Sequence, residues 1–154
     1  MIGEDMNKLG KILKIILIIG TIVAIPIIVI SPMLLNHTSK TIYSMFVIYP
    51  NGLLMVLFAY QFIKLFSSLE NNNPFNFDNV NILKKGSIIS LIMSILWFID
   101  LLFMIFIIGN TYVNYIIVLI FLTGLFFGVF IALYILSELF RQATNYKQEN
   151  DLTI

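Results

Sequence analysis

Residues 88–108 read IISLIMSILWFIDLLFMIFII, 21 positions with a single charge, Asp100. A helix that crosses the hydrocarbon of a bilayer needs about 20 mostly apolar residues, and this stretch supplies them. Three others do the same. Residues 12–30 (ILKIILIIGTIVAIPIIVI) are broken only by Lys14, residues 42–65 contain Tyr49-Pro50-Asn51-Gly52, and residues 115–139 contain Gly124 and Gly128. The whole chain is 60% hydrophobic and 11% charged, whereas a soluble domain has roughly a quarter of its residues charged. Too few charges remain to cover a water-facing surface. The predicted fold is an all-α membrane protein, an antiparallel four-helix transmembrane bundle. It forms one domain over residues 1–154, with a short cytoplasmic tail at 141–154.

The first span resembles a secretory leader, because Lys8, Lys11 and Lys14 precede or open its apolar run. Its apolar stretch is long for a leader core, and Ser31-Pro32-Met33-Leu34-Leu35 follows it in place of an A-x-A-like cleavage site. A retained anchor is expected. Lysine and arginine near span ends then give orientation. Lys8, Lys11, Lys14, Lys64, Lys84, Lys85, Arg141 and Lys147 fall on one side of an even-numbered bundle, and Lys40 alone falls on the other. Both termini and the loop between spans two and three are therefore expected in the cytoplasm, and the protein in the plasma membrane.

Several kinds of chemistry are poorly served by these residues. The net charge is +1, which gives no field to attract nucleic acid, so direct nucleic-acid binding is not expected. The absence of cysteine removes disulfides, thiolate metal sites and cysteine nucleophiles. His37 is the only histidine and has no clustered carboxylates, so it reads as an outer-loop residue rather than a metal ligand. Asn36-His37-Thr38 matches a glycosylation acceptor, a pattern common by chance. The chain has no G-x-S-x-G, H-E-x-x-H or Walker-type glycine loop. The expectation is a non-enzyme without cofactor or metal.

Inside the membrane, Asp100 is the residue that most needs a partner, since a central carboxylate costs about 2.5–3.5 kcal/mol on insertion scales. At 100° per residue, Gly86, Ser90, Met93, Ser94, Trp97, Asp100 and Met104 share one face of span three. Gly86, Ser90 and Ser94 recur every four residues, a small-residue spacing that permits close helix contact. That face is expected to point inward. Counting helical rise puts Asn51 roughly 14 Å, and Asp100 roughly 12 Å, below the outer boundary, with Thr123 at a comparable depth. A polar layer of Asp100, Asn51 and Thr123 is expected from this spacing. Pro50-Asn51-Gly52 predicts a kink that frees a carbonyl. Gly124 and Gly128 form a G-x-x-x-G pair, expected to pack span four within the bundle, with packing against a second copy as the alternative.

The loop Ser67-Ser68-Leu69-Glu70-Asn71-Asn72-Asn73-Pro74-Phe75-Asn76-Phe77-Asp78-Asn79-Val80 is rich in turn formers. Asp78 is expected to cap the helix that carries Lys84 and Lys85 into span three. Phe75, Phe77, Val80 and Leu83 suit the inner interface, either as plain anchors or with the lysines meeting anionic headgroups.

Two segments carry a family likeness. Asn73-Pro74-Phe75, then Asp78-Asn79-Val80 and Leu83-Lys84-Lys85-Gly86, resemble the inner-loop pattern of the bacterial domain-of-unknown-function family 2975. The closing Glu149-Asn150-Asp151-Leu152-Thr153-Ile154 resembles that family's acidic tail. The resemblance implies a small four-span membrane protein without established biochemistry. It also implies a neighbouring small Cro-like helix-turn-helix regulator as the partner. By analogy with other such pairs, the membrane protein would hold the regulator or relay an envelope signal to it. The polar tail from Arg141 to Ile154 is long enough to dock a partner, and Leu152-Thr153-Ile154 suits a groove or a strand edge. A disordered tail is the alternative.

Three functions follow as expectations. The first is a regulatory or sensory membrane protein acting through loop and tail. The second is a small-solute or proton-coupled channel or transporter component using Asp100. The third is an immunity or envelope-stress protein against membrane-active peptides.

Overall fold

The computed structural model describes residues 2–30, 39–70, 74–108 and 113–151. The Asn36-His37-Thr38 pattern, Asn73, most of the Gly109–Asn114 turn and the tail residues Leu152, Thr153 and Ile154 lie outside the described residues. Among the described residues four α-helices form: α1 (Ile2–Ile30), α2 (Ser39–Glu70), α3 (Phe77–Phe103) and α4 (Val113–Asp151). Each contains a stretch long and apolar enough to cross a membrane. The architecture is an all-α four-helix membrane fold.

The helices pack in chain order: α1 on α2, α2 on α3, and most extensively α3 on α4. Accordingly α1 leaves Ile12, Ile16, Ile19, Ile22, Val23 and Ile27 more than half exposed. In water this face would drive aggregation, whereas in a bilayer it meets lipid at no cost. Close approach of α1 to α2 depends on Gly10. A Cβ there would lie 2.9 Å from the Glu70 backbone nitrogen and 3.0 Å from the Phe66 carbonyl oxygen. At the other end of the pair, Gly52 abuts the Ile28 side chain.

The core has two parts. Leu65, Leu83 and Leu133 form one with Phe58, Phe62 and Phe140 around them. Leu101, Met104 and Leu119 form the other with Trp97 and Ile116. Between them runs the small-residue face of α3, on which Ser87, Ser90 and Ser94 are all buried. On α4 the buried residues are Leu119, Leu133, Ser137 and Thr144, which share one helix face. Gly86 on α3 faces the Leu133 side chain, which lies 3.5 Å from where a Cβ would stand, and Ser94 meets the Thr123 carbonyl. Gly124 and Gly128 lie off that α4 face, and a Cβ on either would meet nothing within 4 Å. Among the described residues nothing packs closely on this pair.

The start of α3 corrects a second expectation. The helix is capped by Asn76, whose side-chain oxygen accepts from the Asn79 N–H at 2.8 Å. Asp78 sits inside the first turn, where a negative charge favours the helix dipole without capping it. Asparagine is as good a cap as aspartate, so Asn76 fills the position two residues earlier than expected. Beyond Phe103, residues Met104–Ile108 continue as a wider π-type turn, one turn past Asp100.

Candidate functional site

Two polar regions stand out, one within the membrane and one at the end of the fold where α2 meets α3. In the first, Asp100 is 4% exposed and Asn51 5%. The Tyr115 hydroxyl donates to Asp100 Oδ2 at 3.4 Å, joining the end of α3 to the start of α4. Asn51 Nδ2 donates to the Val47 carbonyl at 3.0 Å, in the turn that Pro50 loosens by having no N–H to give. Thr123 Oγ1 donates to the Leu119 carbonyl at 2.8 Å, and the Thr123 carbonyl accepts from Ser94 Oγ at 3.0 Å. The three residues expected to form one polar layer therefore bond to other partners rather than to one another. Asp100 Oδ1, Asn51 Oδ1, Ser90 Oγ and Trp97 Nε1 are buried and have no hydrogen-bond partner among the described residues. Buried polar atoms are nearly always satisfied, so these four are exceptions within the interior.

The second region is the loop after α2 with the starts and ends of its neighbours. Asn79 is 1% exposed; its Nδ2 donates to the Pro74 carbonyl at 2.7 Å and to Ser68 Oγ at 2.9 Å. Asn76 Nδ2 donates to the same Ser68 oxygen at 3.1 Å. Pro74, Asn76 and Asn79 therefore tie the loop to the last turns of α2. Phe75 leaves this knot and stacks on α4, its ring 5.4 Å from that of Phe140. Val80 and Thr144 are buried as well. The Thr144 hydroxyl is satisfied within its own helix by the Phe140 carbonyl at 2.8 Å.

Beyond the apolar span the chain does not stop being helical. α4 runs on through Arg141 to Asp151. Arg141 pairs with Glu138 through Nε at 2.9 Å, an i,i+3 contact that supports an exposed helix. Glu149 and Asn150 lie on the last turns of this extension, and both are exposed. Asp151 ends the helix. On the α1 side, Lys14 Nζ binds Glu70 Oε2 at 2.8 Å. Glu70 lies past the apolar span 42–65, and the Lys14 ammonium beside it holds its carboxyl below the usual value.

Tyr115, Asn76, Ser68, Phe140 and Thr144 were not singled out by the sequence reading. Asn76 had a legible signal, an asparagine three residues before another polar residue at a helix start. Tyr115 had none, since its pairing depends on how α4 is set against α3.

Among the described residues no group of three or more His, Cys, Asp or Glu side chains is placed to hold a metal ion. No curated protein and no solved structure matches the chain. The family described as "Protein of unknown function (DUF2975)" matches residues 4–154, which include the Pro74-to-Gly86 segment and the tail. This four-helix, multi-pass membrane protein belongs to the DUF2975 family.

Proposed function

We propose that the chain is a non-enzymatic regulatory or sensory protein of the bacterial plasma membrane. Its helices run antiparallel, and both termini and the α2–α3 loop face the cytoplasm. Contact registers support the antiparallel course. As residues rise from Leu83 to Ser94 to Asp100 on α3, their α4 partners fall from Leu133 to Thr123 to Tyr115. Between α1 and α2, Lys14 meets Glu70 while Ile28 meets Gly52. Orientation rests on the positive-inside bias, eight basic residues against Lys40.

The observation that carries the regulatory reading is the Phe75–Phe140 contact. It joins the loop to the root of the α4 extension, so the two segments make one cytoplasmic platform rather than two loose ends. That platform offers Phe75, Phe77 and Tyr146, all exposed, as hydrophobic points for a soluble partner, and α4 ends in the acidic Glu149-Asn150-Asp151. The partner is the helix-turn-helix regulator that the family resemblance implies; Leu152 and Thr153 extend the docking segment. The open Gly124–Gly128 face is the place where a second copy would pack.

The test is a crosslinking pull-down from native membranes with the full chain and with a chain truncated after Lys147. Capture of a helix-turn-helix protein by the full chain alone is expected. Capture of no soluble protein by either chain, or equal capture by both, would remove the tail from this account. A second reading, a proton- or solute-coupled step, is favoured by the burial of Asp100 beside Tyr115. It demands loss of flux in Asp100→Asn, a change that regulation tolerates.

A further inference from the structure

Between the last turns of α2 and the first turns of α3 lies a cleft of about 510 Å³. Its walls are polar: Gln61, Lys64 and Ser67 come from α2, and Asp78, Asn81 and Lys85 from α3. Lys64 is next to last in the apolar span 42–65, and Lys85 stands three residues before the span 88–108. Both ammonium groups therefore sit where the helices leave the hydrocarbon, at the level of lipid headgroups. Neither lysine has a carboxylate partner among the described residues, where the ion pairs are Lys14–Glu70 and Arg141–Glu138. Lys64 Nζ instead lies 4.6 Å from the centre of the Tyr60 ring.

Two lysines on opposite walls, with amide and hydroxyl groups between them, make a receptor for oxygen-rich anions. Asp78 works against this and leaves the walls with a net charge of +1. The matching ligand is therefore a singly charged group with several acceptor oxygens, which describes a phosphodiester. We propose that this cleft binds the headgroup of an anionic phospholipid, drawn from the bilayer rather than from solution. The source follows from position: the cleft opens at the membrane surface, where headgroup phosphates are concentrated. The inference rests on the chain spanning a membrane and not on any soluble partner, so it stands or falls apart from the regulatory reading.

The experiment places the full chain in nanodiscs of mixed phosphatidylglycerol and phosphatidylcholine, extracts it in mild detergent, and counts retained lipids by native mass spectrometry. The wild-type chain is expected to keep phosphatidylglycerol in preference to phosphatidylcholine. A lysine near an anionic surface is worth about fivefold in partitioning, so Lys64→Gln with Lys85→Gln should cut the preference at least that much. Lys84→Gln with Lys147→Gln removes the same charge outside the cleft and should leave the preference within about twofold. Asp78→Asn should raise retention, a gain that a misfolded chain would not give. Equal loss in both double variants would overturn the proposal in favour of diffuse surface attraction. Displacement of the lipid by millimolar inorganic phosphate would overturn its lipid source.

Discussion

The ring of Phe75 lies 5.4 Å from that of Phe140 and is tilted 46° to it, so a loop residue and a residue 65 positions later close the same end of the fold. The separation lies within the range of favourable aromatic pairs. Its effect is to anchor the loop on α4 at the point where that helix leaves the apolar span. Asn79 and Ser68 hold the other side of the same loop. The α4 extension is thereby seated on a fixed base.

A double-mutant cycle on this pair should show coupling. Phe75→Ala and Phe140→Ala are each expected to destabilise the chain in detergent. The double variant should lose less than the sum by about 0.5–1.5 kcal/mol, read from reversible unfolding. Strict additivity would mean that the rings do not support each other.

Helix contact at Gly10 gives a sharper steric test. Gly10→Leu forces side-chain atoms against the Glu70 and Phe66 backbone, which cannot yield as a side chain would. Overpacking of this kind costs about 1–3 kcal/mol, and α1 should separate from α2. At Gly20 a Cβ meets nothing within 4 Å, so Gly20→Ala should be close to neutral. Thermal melts of both variants in the same detergent check the contrast.

Within the membrane, Tyr115→Phe removes the hydroxyl that donates to Asp100. A buried acceptor left without its donor costs about 1–3 kcal/mol. Replacing both partners, Asp100→Leu with Tyr115→Phe, should recover much of that loss, because neither the carboxyl nor its donor is then left to be satisfied. If the double variant is less stable than Tyr115→Phe, Asp100 has a stabilising partner other than Tyr115.

The Lys14–Glu70 ion pair predicts a pH response. The carboxyl of Glu70 is held below its ordinary value by Lys14. Its contribution to α1–α2 packing is therefore complete above the unfolded-state pKa and is lost as pH falls through the lowered folded-state pKa. Crosslinking between cysteines introduced into α1 and α2 should weaken with acidification in the native background. In Glu70→Gln it should be weaker at neutral pH and flat across the acid range.

The four long apolar helices were legible in the sequence, because a run of apolar residues has only one solvent that suits it. The sequence also carried the inward face of α3: Ser90, Ser94 and Asp100 lie on the buried side, since small and polar residues at fourfold spacing cannot favour lipid. Which helix fills that face was not legible. Gly124 and Gly128 advertise close packing, yet α4 turns Leu119 and Leu133 inward instead, a choice set by rotation of the helix about its axis. The pairing of Asp100 with Tyr115 is hidden for the same reason. The helical course of residues 141–151 was more accessible. That stretch contains neither glycine nor proline, and only its polarity suggested a loose tail.

Hydrogen exchange at the backbone amides of residues 141–150, in the membrane-embedded chain, tests the central claim most directly. A platform of loop and α4 extension predicts slow exchange there in the wild type. It also predicts faster exchange through the extension, but not through the apolar span, in Phe75→Ala. Exchange at unfolded-chain rates in the wild type, or no response to Phe75→Ala, would contradict it.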